Sequence, residues 1–182
     1  MSDRRRRFEA QALPHLDAAY NLARRLTRPP QDADDIVQDA MLRAFRAFET
    51  FRGDNMKPWL LSIVRNCHLT AVGQTQRKLE APLPSDAELD LRDHSLIVDA
   101  PDPEASAIQG QQGRQLSAFI DGLPQEFREV IVLREMEDLS YRDIAQVTGA
   151  PIGTVMSRLA RARALLRQTW LTHGLEAPHA VH

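Results

Sequence analysis

The segment TGAPIGTVMSRLARARALLRQTW, from Thr148 to Trp170, holds four arginines and no acid, in a chain whose formal net charge is -2. Cations at helical spacing beside small residues suit phosphate and groove contact rather than bond-making. On a helical wheel Val155, Leu159, Ala162 and Leu166 form one apolar stripe with Trp170 at its edge. The opposite face carries Ser157, Ala160, Arg161, Ala164 and Gln168, with Arg158 and Arg163 on its flanks and Arg167 beyond. Small residues at the centre of that face let a helix approach a groove floor, while the flanking arginines reach phosphates. A merely solvated helix would mix lysine with glutamate there, so the segment reads as DNA-binding. Nothing in the sequence supports catalysis: no phosphate loop, metal cluster or nucleophile–base pair is visible. The one cysteine, Cys67, excludes an internal disulfide and a multi-cysteine zinc site. Its neighbour His68 points in a different direction on a helix, and the three histidines of the tail HGLEAPHAVH lack regular spacing and read as a frayed terminus. No metal and no cofactor is expected.

A second stripe lies in DDIVQDAMLRAFRAF, Asp34 to Phe48. Ile36, Val37, Ala40, Met41, Ala44, Phe45 and Phe48 share one broad face that must be core. Opposite them stand Asp35, Gln38, Asp39, Leu42 and Arg46. Leu42 is an apolar side chain in the middle of a polar stripe. Single exposed leucines are common and need no function, but an apolar anchor ringed by polar groups is also what a docking contact requires.

The elements that hold these stripes are helices. Leu13, Leu16, Tyr20, Ala23 and Leu26 recur at helical spacing, with Pro14 tolerable in a first turn. RPPQDADD breaks the chain and supplies acids suited to a helix N-terminus. In NMKPWLLSIVRNCHL, Pro58 fits an opening turn and Trp59, Leu60, Ile63, Val64 and Cys67 form the inner face, while Arg65 and Asn66 point elsewhere. TAVGQTQRK then turns polar, with Gly73 as an interruption and Arg77 and Lys78 as its cations. The run of four arginines in MSDRRRRFEAQAL suits a nucleic-acid arm or a targeting patch, but reads better as a solvated lead-in to the first helix. No apolar h-region follows it, so a secretory signal is not expected.

Charge divides the chain. Residues 1–80 hold 14 basic and 10 acidic side chains, residues 81–114 hold 2 and 7, and the remainder is nearly balanced. The middle block carries Pro82, Pro84, Pro101 and Pro103 without helical or strand period and reads as a linker. The expected fold is all-α: two small helical domains joined by an acidic, proline-containing linker. With 43% hydrophobic and 26% charged residues the composition is that of a globular protein, and no apolar run approaches the ~20 residues of a bilayer crossing. The single cysteine fits a reducing, cytoplasmic setting.

Beyond Gly113 the pattern divides into four helices. In the second, opened by Pro124, Phe127, Val130, Ile131 and Met136 face inward. Ser140 and Asp143 make a capping pair for YRDIAQVTG, and Gly149 can take the left-handed conformation that ends it. Ala145, small where two helices cross, Gly149 at the turn and Val155 in the core have the spacing of a helix-turn-helix. A plain helical hairpin could mimic that spacing; the arginine-rich fourth helix, entered through Pro151 and Thr154, favours DNA binding.

Taken together, DADDIVQDAMLRAFRAFETFRGDNMKPWLLSIVRN and, after the linker, LPQEFREVIVLREMEDLSYRDIAQVTGAPIGTVMSRLARARALL resemble the extracytoplasmic-function (ECF) sigma factors of bacterial RNA polymerase. The resemblance covers nearly all of residues 8–170. It implies a region-two domain at 8–80, a linker at 81–113 and a region-four domain, with the helix-turn-helix, at 114–175. It implies core-polymerase binding by Asp35, Gln38, Asp39, Leu42 and Arg46. It implies promoter contacts by Arg65, Asn66, Arg77 and Lys78 at the minus-ten element, and by Thr154, Met156, Ser157, Arg158, Ala160, Arg161 and Arg163 at the minus-thirty-five element. The implied partners are core RNA polymerase, promoter DNA and an anti-sigma factor, without membrane insertion, and the implied role is not enzymatic.

Two departures stand out. Where the family continues from Arg65 and Asn66 into a basic helix, this chain has Thr70, Gly73, Gln74 and Gln76, leaving Arg77 and Lys78. After GTV, where the family commonly has lysine or arginine, it has Met156, and Ala160 is small. Met156 is therefore expected to favour an apolar contact such as a thymine methyl. Two other readings stay open: a sigma-like decoy that captures an anti-sigma factor, and a helix-turn-helix repressor, which leaves the whole first lobe unexplained.

Overall fold

The computed structural model of the chain describes residues 3–28, 32–80 and 107–173. These form α-helices linked by short turns, with no strand among the described residues. The first lobe consists of α1 (Asp3–Ala12), α2 (Leu16–Leu26), α3 (Ala33–Ala47) and α4 (Met56–Glu80). The second consists of α5 (Ala107–Gly122), α6 (Gln125–Ile131), α7 (Tyr141–Thr148) and α8 (Ile152–Thr172). The linker expected at 81–113 falls outside the described residues up to 106, and α5 begins at Ala107, ahead of the expected boundary at 114.

The arginine run is part of α1 itself rather than a lead-in. Phe8 is buried edge-on between Phe45 and Phe48, with ring centroids 5.3 and 5.4 Å away. One turn earlier Arg4 lies over the Phe45 ring and donates to the carbonyls of Phe45 and Arg46 at 2.8 and 3.2 Å. These carbonyls lie in the last turn of α3, where a cation is favoured. Arg5 and Arg6 remain exposed.

α2 buries only part of the set that recurs at helical spacing. Ala18, Ala19, Leu22, Ala23 and Leu26 are in the core, whereas Leu13, Leu16 and Tyr20 are exposed. Two apolar stripes overlap on this helix, and the small alanines win the inner position because they let α2 approach α3 and α4 closely. On α3 the core face is as expected, with Ile36, Val37, Ala40, Ala44 and Phe48 buried and Met41 and Phe45 partly so.

α4 passes through Gly73 without interruption. One glycine costs a helix only ~1 kcal/mol relative to alanine, which the flanking helix-formers Gln74, Gln76, Arg77 and Lys78 outweigh. Met136, expected to face inward, is exposed. The α6 helix widens into a π-turn over Val132–Met136, and the extra residue rotates the following side chains off the inner face.

α4 is the element between the lobes. One side meets α2 and α3, and another meets α7. Leu60, Val64 and Cys67 are buried, and so are Leu61 and His68.

Candidate nucleic-acid interface

The helix-turn-helix is built as its residues require. Ser140 accepts from the Asp143 amide at 3.1 Å while the Ser140 amide donates back to Asp143 Oδ2 at 3.3 Å, closing a capping box at the start of α7. Gly149 ends α7 with φ +69°, a left-handed conformation that favours glycine, and its amide donates to the Ala145 carbonyl at 2.9 Å. Ala150 and Pro151 complete the turn before α8. Val155, Leu159 and Ala162 are buried, with Trp170 at the far end of the same stripe.

That anchorage leaves the other side of α8 free. Met156, Ser157, Ala160, Arg161, Ala164 and Gln168 are all exposed, Met156 by 52%. Thr154 and Arg158 are half-buried at the edges. Arg163 is taken up within the lobe: its Nη2 lies 2.6 Å from Glu135 Oε1, and Nε donates to the same oxygen at 3.2 Å. Arg161 has exposed surroundings and carries the cationic character of the outer face.

The first-lobe cations are placed differently. Arg65 does not face outward; its Nε lies 2.5 Å from Glu129 Oε1 on α6. Asn66 is exposed beside it. Arg77 and Lys78 lie on the last turns of α4, and their side chains fall outside the described residues. Glu129 is buried, which pushes its carboxyl up from the usual range, while Arg65 and, more distantly, Arg158 pull it back toward the ionised form. Cations from both expected DNA surfaces thus converge on one carboxylate.

The outward stripe of α3 is arranged as expected, with Asp35, Gln38, Leu42 and Arg46 exposed and Leu42 exposed by 52%. Asp39 is less free. Arg43 Nη2 stands 2.8 Å from it and, with the Cys67 thiol, holds its carboxyl below the usual range. Burial pushes the thiol itself up to about 11, so Cys67 is a packing residue and not a reactive one. Beside this stripe, Leu16, Tyr20, Val37 and Met41 line an open groove between α2 and α3, with Asp17 and Asp34 at its rim. The sequence signal for it is the recurrence of Leu16 and Tyr20 at helical spacing on α2. Among the described residues no cluster of metal-ligating side chains occurs, and no helix is long and apolar enough to cross a membrane.

Two helical lobes, the second ending in a helix-turn-helix with a bare, acid-free outer face, define a two-part DNA-binding protein. The family model for sigma-70 region 2 matches residues 13–78, and that for sigma-70 region 4 matches residues 113–166. The chain is 36% identical to the RNA polymerase sigma-H factor of Pseudomonas aeruginosa over 87% of its length and 83% of that protein's. It is 38% identical to the ECF RNA polymerase sigma-E factor of Haemophilus influenzae over 74% of its length and 72% of that protein's. With the ECF RNA polymerase sigma factor SigE of Mycolicibacterium smegmatis it shares 34% identity, spanning 89% of this chain and 61% of that one. Among solved structures, the sigma factor RpoE of Bartonella quintana, in complex with the anti-sigma factor NepR, superposes with a TM-score of 0.69 and 26% identity over 88% of this chain and 94% of that one. CnrH, in complex with the cytosolic domain of CnrY, gives 0.61 and 26% over 92% and 90%. The chain belongs to the ECF RNA polymerase sigma factors.

Proposed function

We propose that this protein directs core RNA polymerase to promoters, acting in the cytoplasm as an initiation factor rather than as an enzyme. The outward stripe of α3 docks on the polymerase, with Leu42 as the apolar anchor among Asp35, Gln38, Asp39 and Arg46. The first lobe opens and reads the minus-ten element through Arg65, Asn66, Arg77 and Lys78; extruding a base costs only a few kcal/mol. α8 enters the major groove of the minus-thirty-five element, with Met156, Ser157, Ala160 and Arg161 toward base edges and Thr154 and Arg158 toward the backbone, while Arg163 stays with Glu135.

The observation that carries this reading is the outer face of α8, exposed along its length and free of acids while its inner stripe is buried. The likeness to RpoE solved with NepR supports an anti-sigma partner for this chain too.

Run-off transcription with purified core polymerase tests the proposal. A promoter-specific transcript that requires this chain, and that Leu42→Asp abolishes together with capture of core polymerase, is the expected result. No transcript despite tight binding of an anti-sigma factor would replace it with the decoy reading. Tight operator binding without polymerase would favour a repressor.

A further inference from the structure

The outer side of α8 has two unlike edges. Thr154, Arg158 and Arg161 follow one another along the first, at spacings of four and three residues. Ile152, Met156 and Arg163 line the second, at spacings of four and seven, and all three are exposed. The second edge therefore opens with two apolar side chains, and Arg163 is its first cation.

That cation is already engaged. α8 has no acid of its own, and the counter-charge comes from 28 positions upstream. Glu135 stands exposed in the π-turn Val132–Met136. Both Nε and Nη2 of Arg163 donate to its Oε1, at 3.2 and 2.6 Å. A phosphate approaching this edge thus meets a neutral pair in place of a cation. To take the guanidinium it must displace Glu135, and the released carboxylate then stands beside the DNA backbone, where like charges repel. The two side chains are each 49% exposed, and an ion pair so open to solvent is weak. The hold lowers affinity without abolishing it.

We infer that Glu135 attenuates binding to the upstream element by withholding Arg163 from the phosphate backbone, so that phosphate contacts concentrate on the Thr154–Arg161 edge. This rests on the proposed entry of α8 into the major groove. Glu135 is a positioning residue that acts through Arg163. The attenuation falls on every sequence alike, since a phosphate contact carries no base information.

The test uses holoenzyme carrying the full chain as wild type, Glu135→Gln, Arg163→Ala and the double variant. Each is titrated with a promoter duplex bearing an intact or a scrambled upstream box, from about 50 to about 200 mM salt. Glu135→Gln keeps the shape of the side chain and removes its charge. It should bind both duplexes roughly fivefold more tightly at the low-salt end. The slope of log affinity against log salt should steepen by about 0.9, the counterion release of one further phosphate, which removes about threefold of that advantage by the high-salt end. In the double variant both changes should vanish, leaving the behaviour of Arg163→Ala. Glu135→Ala, which removes the acceptor as well, covers the case in which glutamine still holds the arginine. No change of affinity or slope in either Glu135 variant overturns the attenuation. A lower thermal midpoint with weaker binding overturns it too, since the pair then only braces α8. Tightening that survives in the double variant means that the carboxylate repels DNA by itself, and overturns the role of Arg163. A wild type that does not distinguish the intact box from the scrambled one sinks the groove reading of α8 instead, whatever the variants do.

Discussion

α4 and α8 are the long helices of their lobes, and both carry arginines that the sequence directs at DNA, yet their surroundings differ. α8 is buried along one stripe and bare on the other side. α4 is covered on two sides, by α2 and α3 within its own lobe and by α7 of the other. A helix with one buried stripe declares its free face in its own periodicity. A helix with two does so only once the partner on the second side is known. Arg161 is therefore free where expected, while Arg65, equally convincing on the wheel, is held by a glutamate 64 positions away.

The contrast can be broken most forcefully from inside α8. Val155 is fully buried, and the stripe it belongs to is what fastens the helix to the second lobe. Val155→Asp places an unpaired charge in that core and should cost ~3–5 kcal/mol, seen as a lower thermal midpoint for the second lobe together with loss of upstream-box binding. A midpoint like that of the wild type would mean that α8 is held by something other than its apolar stripe.

A smaller and sharper effect separates two neighbours on the outer side. Arg161 is exposed, with no ion pair to it among the described residues, whereas Arg163 is committed to Glu135. Arg161→Ala should weaken binding to the upstream box by ~1–3 kcal/mol if the side chain grips a guanine. Arg163→Ala should lose less than ~1 kcal/mol, the range of an exposed ion pair. Holoenzyme titrations against intact and mutated boxes decide between them. If the box mutation penalises wild type and Arg161→Ala equally, Arg161 reads no base. If Arg163→Ala proves the more damaging, DNA pulls that arginine away from Glu135.

What could be read in advance follows the same physical line. The all-helical fold, the capping box at Ser140, the left-handed Gly149 and the buried stripe of α8 depend on residues within a turn or two of one another, and the sequence displays them. The exposed stripe of α3 was equally legible, because its core face is continuous. The failures share a cause as well. The choice between two apolar stripes on α2 was settled by how closely α3 and α4 approach. The outward swing of Met136 came from a π-turn that no periodicity announces. Gly73 was overruled by the good helix-formers around it. The carboxylates of Glu129 and Glu137 carry no local signal at all. Each is an ordinary acid on the wheel, and only the docking of the lobes buries it.

The smallest effect concerns specificity more than affinity. Met156 projects from the outer face of α8, and Ile152, one turn earlier, is exposed too. Two apolar side chains at the leading end of a groove-reading helix have no phosphate to seek; their favourable neighbours in the major groove are thymine methyls. Met156→Arg exchanges that preference for a guanine acceptor or a phosphate. The expected change in affinity for the native box is small, on the order of 1 kcal/mol, because an apolar contact is lost while an electrostatic one is gained. The sequence preference should move more. Selection of upstream boxes from a randomised pool, using holoenzyme carrying wild type or Met156→Arg, should replace a thymine-containing position with guanine in the variant. Tighter binding to every box without a change of preference would place the new arginine on phosphate and leave the methionine methyl untouched by bases. An identical preference at identical affinity would show that the leading turn of α8 stands clear of the groove, and that the free face seen on this helix begins to read DNA only at Ser157.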